Sequence, residues 1–187
     1  MATIENLNTS KSLTGFVKIW KTHQHTGESE LVVDKKNMIL KGGAKMIAHA
    51  LGGDQYAKIW GMYIGYNNGT ETFIKPDIDI DYSNKFINYT APYGYLREPL
   101  TFSPSYQTSL GYDENVVLFS TMVTSATKVG GADFGASSRI YEVALVSAVA
   151  ANDLTKDTVF SRTNFNPIQY NSSYNFTITW GVRILLP

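Results

Sequence analysis

The chain has 187 residues, enough for one sizeable domain, and its 16 Lys+Arg against 16 Asp+Glu give a formal net charge of zero. That balance leaves no basic footprint for nucleic acid or for an anionic membrane surface. The lack of cysteine (Cys 0) excludes disulfides, thiolate metal sites and cysteine nucleophiles together.

In chain order, residues 1–13 are polar and weakly patterned. They read as an N-terminal arm whose Ile4, Leu7 and Leu13 have no core of their own and are tied down by docking. The start MATIENLNTSKSL lacks the basic and apolar regions of a signal peptide, and no run reaches the roughly 20 apolar residues of a membrane span. The expectation is a soluble chain made in a cytoplasm. Residues 14–22 (TGFVKIWKT) and 28–34 (ESELVVD) read as strands around the turn HQHTGE.

The stretch 37–53, NMILKGGAKMIAHALGG, changes period. Ala44, Ile47, Ala48 and Leu51 recur at i, i+3, i+4 and i+7, the apolar stripe of a short amphipathic helix. Lys41, Lys45 and His49 fall on another face, Asn37 is the expected N-cap, and Gly52-Gly53 supplies the stop. One helix among strands reads as a plug or lid on a β-core.

Residues 57–66 (AKIWGMYIGY) form a nearly continuous apolar run, expected to be a central strand buried on both faces and ended by Asn67-Asn68-Gly69. Residues 70–115 carry Pro76, Pro92, Pro99 and Pro104 and only brief strand candidates at 73–80 and 85–90, so they read as an irregular insertion. Strands are expected again at 116–125, 139–147 and 158–165, with a glycine-containing loop at 128–137. Residues 174–186 then alternate, with Tyr174, Phe176, Ile178, Trp180, Val182, Ile184 and Leu186 on one face and Asn175, Thr177, Thr179 and Arg183 on the other. These elements predict a mainly β fold: an antiparallel β-sandwich, jelly-roll-like, with one short α-helix, residues 14–187 forming a single domain behind the arm.

Candidate chemistry is sparse. His23 and His25 lie two apart near Glu28 and Glu30, but in an exposed turn, where polarity is a sufficient reason for them. Asp77, Asp79 and Asp81 start like a calcium loop, yet Tyr82 stands where that loop needs Gly and Asn88 where it needs Glu. No nucleophile context accompanies the histidines, and the expectation is a protein without catalysis, metal or cofactor. Glu142 and Arg162 are lone charges in consecutive apolar strands and are expected to form a structural ion pair. Tyr89, Tyr93, Tyr95, Tyr106 and Tyr112, with Ile4, Leu7 and Leu13, make up the expected partner interface, since tyrosine gives amphipathic contact area at low entropy cost.

The runs IYEVALVS (140–147), FSRTNFNPIQ (160–169) and FTITWGVRI (176–184), preceded by VVDKKNMIL (32–40), the helix and IGYNNG (64–69), resemble a motif order of small structural proteins of tailed bacteriophages. In those proteins a strand with Glu-(small or aliphatic)-x-Leu precedes an Arg-Thr-x-Phe strand and a closing Ile-x-Trp strand; Ala144 stands where Gly is expected. The resemblance covers about half of the chain. It implies a virion component of the head, collar, tail or fibre, assembled in the host cytoplasm, whose partners are copies of itself and other virion proteins. The alternative is a carbohydrate-binding, receptor-binding module of a phage fibre, with cell-surface glycan as its ligand.

Overall fold

A computed structural model of the chain describes residues 13–54, 57–67, 93–106, 116–124, 128–129, 132–133, 139–147 and 158–184. The elements are β1 (Leu13–His23), β2 (Ser29–Ile39), α1 (Lys41–Leu51), β3 (Gly61–Asn67), β4 (Tyr93–Pro99), β5 (Phe102–Tyr106), β6 (Val116–Val123), β7 (Lys128–Val129), β8 (Ala132–Asp133), β9 (Arg139–Ser147), β10 (Thr158–Gln169) and β11 (Tyr174–Ile184). The protein is mainly β, two antiparallel sheets with one short helix. Strand order runs β4-β3-β9-β10-β2-β1-β11-β6-β5, and β7-β8 form a separate hairpin within the stretch expected to be a loop.

That order divides at β2. From Ser29 to Asn37 the strand pairs with β1, whereas Met38 and Ile39 pair with Arg162 and Ser161 of β10. The front sheet is therefore β2-β1-β11-β6-β5, and the back sheet is β4-β3-β9-β10, reached through the end of β2. A strand that changes sheets makes a corner. Here the corner is fixed by Asn37, whose Nδ2 donates to Ser161 Oγ while its amide occupies the space a side chain on Gly15 would need.

On the opposite side the chain steps from β4, in the back sheet, to β5, in the front sheet, through Leu100 and Thr101. Thr121 Oγ1 donates to Pro99 O at 2.8 Å, Thr101 N to Ser120 O at 3.1 Å, and Leu100 N to Trp60 O at 3.2 Å. The insertion expected to be irregular thus contains two strands. Its prolines obscured them, yet β4 and β5 are the two ends of the strand order, and a proline is tolerated at an edge because no neighbour needs its N–H. The candidates at 73–80 and 85–90 lie outside the described residues.

The core lies between the sheets. Val17, Ile19, Phe176, Ile178 and Trp180 project from the front sheet and meet Met62, Ile64, Val143, Leu145 and Phe165 from the back. Each such side chain, removed from water, contributes about 1.5–3 kcal/mol. β3 is buried throughout from Gly61 to Tyr66, because the back sheet is covered on its other face as well: Leu40, Tyr63, Ala144, Val146 and Val159 form a second cluster there, with Trp60 packed on it.

The helix departs from its expected orientation. Ala44 and Ala48 are exposed and Leu51 is 85% exposed, whereas Gly42, Gly43 and Met46 are buried. A Cβ on Gly43 would run into the Phe160 carbonyl and Ile39, so close approach of backbone to β10, with Met46 and, from the expected stripe, Ile47 alone packed on the core, docks this helix. Asn37 is not its cap either: it belongs to β2, and Leu40 stands at the N-cap without a side-chain hydrogen bond. The stop is as expected, with Gly53 at φ 84° just past the helix end.

Candidate functional site

Two places carry the residues of interest, one buried and one exposed. In the back sheet, β9 is flanked by β3 and β10, and Glu142 is paired with Gly65 on one side and Asn164 on the other. Both ladders slip immediately beyond that rung, to Tyr66↔Ile140 and to Ile168↔Ile140. The slip lets Ile140 join Val143 and Leu145 in the core while Glu142 faces the other way with Ala144 and Val146.

Arg162, opposite Ala144, is the diagonal neighbour of Glu142, and its Nε lies 3.1 Å from Glu142 Oε1. Each side chain is 1% exposed. The contact is a charge pair and not an aligned hydrogen bond, so among the described residues neither Glu142 oxygen accepts one. Gly65 makes room: a Cβ there would stand 3.1 Å from Glu142 Cβ and 3.4 Å from its Oε2. Burial pushes the Glu142 carboxyl up to about 7, against the opposing pull of the Arg162 charge. Lys35 Nζ donates to the Asn164 carbonyl at 3.0 Å and ties β2 to the same region. A substrate would have to displace packed chain to reach this pair, and its chemistry is that of a structural link between strands.

The exposed place is the outer face of the front sheet. Register sets its residues in rows across the strands. One row is Lys36, Phe16, Gly181 and Leu118; the next is Asp34, Lys18, Thr179, Ser120 and Phe102; the third is Leu31, Trp20, Thr177 and Met122. Among the described residues the exposed large hydrophobic side chains are Trp20 (39%), Leu31 (37%), Leu51 and Phe102 (49%), and three of these four lie on this face. The Phe16 ring covers Gly181, where any Cβ would collide with it. Ser120 Oγ donates to Thr179 Oγ1 at 3.2 Å, and Lys18 Nζ stands 3.9 Å from Asp34. Strand alternation in TGFVKIWKT carries the signal for this face, but the same alternation offers Val17 and Ile19 as an equally good outward set.

The expected tyrosine interface is only partly placed. Ile4, Leu7, Tyr89 and Tyr112 lie outside the described residues, as do Asp77, Asp79 and Asp81. Leu13 is not in an arm: it opens β1, paired with Ile184. Tyr93 and Tyr95 sit on β4 and Tyr106 on β5, strands at opposite ends of the strand order and joined through the Leu100–Thr101 step.

At one end of the sandwich the β1–β2 turn meets the β10–β11 turn. Gln24 Nε2 donates to Ser172 O and to Asn175 Oδ1, both at 3.0 Å. His23 lies edge-on to Tyr174 at 5.0 Å and to His25 at 5.8 Å, and Thr26 N donates to His23 Nδ1. The histidines serve this clasp between turns; among the described residues no three His, Asp or Glu side chains converge as metal ligands would.

No protein-family model, curated protein or solved structure matches the chain.

Proposed function

We propose that this chain is a structural component of a tailed-bacteriophage virion, an oligomeric β-sandwich protein of the tail, collar, fibre or capsid-decorating type. The observation that supports this reading most directly is where the motif order falls. Segments 140–147, 160–169 and 176–184 coincide with β9, β10 and β11, segment 32–40 with the end of β2, and the described part of 64–69, up to Asn67, with the end of β3. The residues behind the resemblance are therefore those that make the two layers, and Glu142 and Arg162 are the charges packed between neighbouring strands there. A surface with few charges and exposed aromatic residues is suited to lasting contact with other protein.

The test is direct. Antibody raised against the purified chain should label purified tailed-phage particles from the source host, and light scattering should give a mass above one chain. A chain that labels no particle, stays monomeric when concentrated and binds on a glycan array would instead be the carbohydrate-binding module of the alternative reading.

A further inference from the structure

We infer that the β1–β2 turn is a proton-operated latch. Protonation of His23 releases the Thr26 N–H and loosens the clasp between the two turns at this end of the sandwich. The bonding of the turn sets the starting state. Thr26 N donates to His23 Nδ1 at 3.2 Å, so that nitrogen is an acceptor, the imidazole is neutral and its proton sits on Nε2. A backbone donor therefore depends on a lone pair that acid removes. Histidine is the side chain whose charge changes between about pH 5 and pH 8. Once Nδ1 carries a proton, two donors face each other and the bond to Thr26 N is lost.

The new N–H has an acceptor within reach. Thr26 Oγ1 lies 3.3 Å from the same Nδ1 and donates to Glu28 Oε2 at 3.2 Å. A small rotation of the ring lets Nδ1–H donate to that hydroxyl, which links the imidazolium to the Glu28 carboxylate. The other backbone donors of the turn keep partners that acid leaves alone: His23 N donates to Glu28 O, Gly27 N to His23 O and Glu28 N to Thr26 Oγ1. The change is thus confined to Thr26 N and to the position of one ring.

That ring also holds the neighbouring turn. His23 lies edge-on to Tyr174, its register partner on β11, at 5.0 Å, and Gln24 N donates to Ser173 O at 2.9 Å. The titratable and charged groups facing His23 are His25 and Glu28 in its own turn, Lys21 on β1, Glu30 opposite Lys21 on β2, and Tyr174 on β11. Lys21 Nζ already stands over the Tyr174 ring at 4.2 Å, and the His25 ring is 5.8 Å from that of His23. A charged His23 meets both as like charges, while Glu28 draws it toward Thr26. Acid therefore moves the ring off Tyr174 in the same step that frees Thr26 N.

Heteronuclear NMR on the full chain tests the latch. At about pH 8 the imidazole nitrogen shifts of His23 should show Nδ1 without a proton. Between about pH 8 and about pH 5, amide protection at Thr26 and Gln24, corrected for intrinsic exchange, should fall about fivefold, the effect of losing one net hydrogen bond. The fall should follow the His23 shifts. His23→Asn sets an Oδ1 acceptor where Nδ1 stood and takes up no proton, so protection should be kept and the pH response lost. His25→Asn should leave the response in place. The latch is overturned if Nδ1 carries the proton at about pH 8, or if either amide keeps its protection while His23 titrates. A response that survives His23→Asn, or that disappears in His25→Asn, overturns it as well.

Discussion

The two sheets of this sandwich bury the same kind of inner face and differ in their outer ones. The front sheet turns Trp20, Leu31 and Phe102 to solvent beside a ladder of threonine and serine, while the back sheet is covered on both sides and holds Glu142 and Arg162 at 1% exposure. Each outer face contradicts a simple rule, aromatics outside in one and charges inside in the other. In the front sheet the exception costs little, because apolar groups normally make up much of a protein surface. In the back sheet it is expensive, because a buried charge must be matched by a partner or lose its ionisation. The back sheet therefore defends its arrangement with a glycine at position 65 and a ladder slip on both sides of the glutamate, and the front sheet needs no such device.

The largest expected effects come from breaking the back sheet. Arg162→Met leaves the buried Glu142 carboxyl without the one charge beside it, and should lower unfolding free energy by about 3–5 kcal/mol at pH 8 in denaturant titration. Arg162→Met should cost less at pH 6 than at pH 8, since Glu142 can take up a proton when its partner is gone. Equal losses at both pH values would mean that Glu142 is held by groups other than Arg162. In the front sheet, Trp180→Ala empties the largest fully buried side-chain site among the described residues and should cost about 3–5 kcal/mol by cavity formation.

The pH dependence sharpens the contrast further. Glu142 is raised from 4.5 to about 7 in the folded chain, so the fold keeps a proton that the unfolded chain has lost. Its contribution to stability is complete below pH 4.5 and disappears as pH rises through 7. Unfolding free energy should therefore fall by about 2 kcal/mol from pH 5 to pH 8, and Glu142→Gln should remove most of that slope. Glu98, raised by burial beside the β4 edge, acts in the same direction. A slope unchanged in Glu142→Gln would place the titrating group elsewhere.

Two smaller effects belong to the surface. Gly181→Ala displaces the Phe16 ring from the half-buried front face and should cost about 1 kcal/mol or less, because the ring can swing outward. Leu51→Gln should change stability by under about 0.5 kcal/mol, while Met46→Ala on the same helix costs about 2–5 kcal/mol. Reversal of that order would restore the aliphatic stripe as the docking face of α1.

Much of this could be read from residue order. Alternation along residues 174–186 points Phe176, Ile178, Trp180 and Val182 inward, all four buried in the structure, with Tyr174 of the same set half-buried at the strand end, because a strand leaves each side chain only two directions. The continuous run through Met62 and Ile64 likewise requires a strand covered on both faces, and Gly52-Gly53 requires a helix stop. Local periodicity was insufficient wherever burial depended on what lies opposite. In α1 it offered Ala44, Ile47, Ala48 and Leu51, but only Ile47 of these packs on the core, beside Met46 and the backbone contact at Gly43. In the 70–115 region proline concealed β4 and β5, since a strand at an edge is specified by its one neighbour more than by its own sequence. The sequence nominated Glu142 and Arg162 by their isolation in apolar strands, but their approach to 3.1 Å needs the diagonal register of β9 and β10 and the space left by Gly65. Sequence by itself thus determined most of the longer elements, though not β4, β5, β7 and β8, and most of the inner faces, through periods of about two and 3.6 residues. Tertiary structure alone decided which outer face meets solvent and which is covered, because that depends on contacts between residues far apart in the chain.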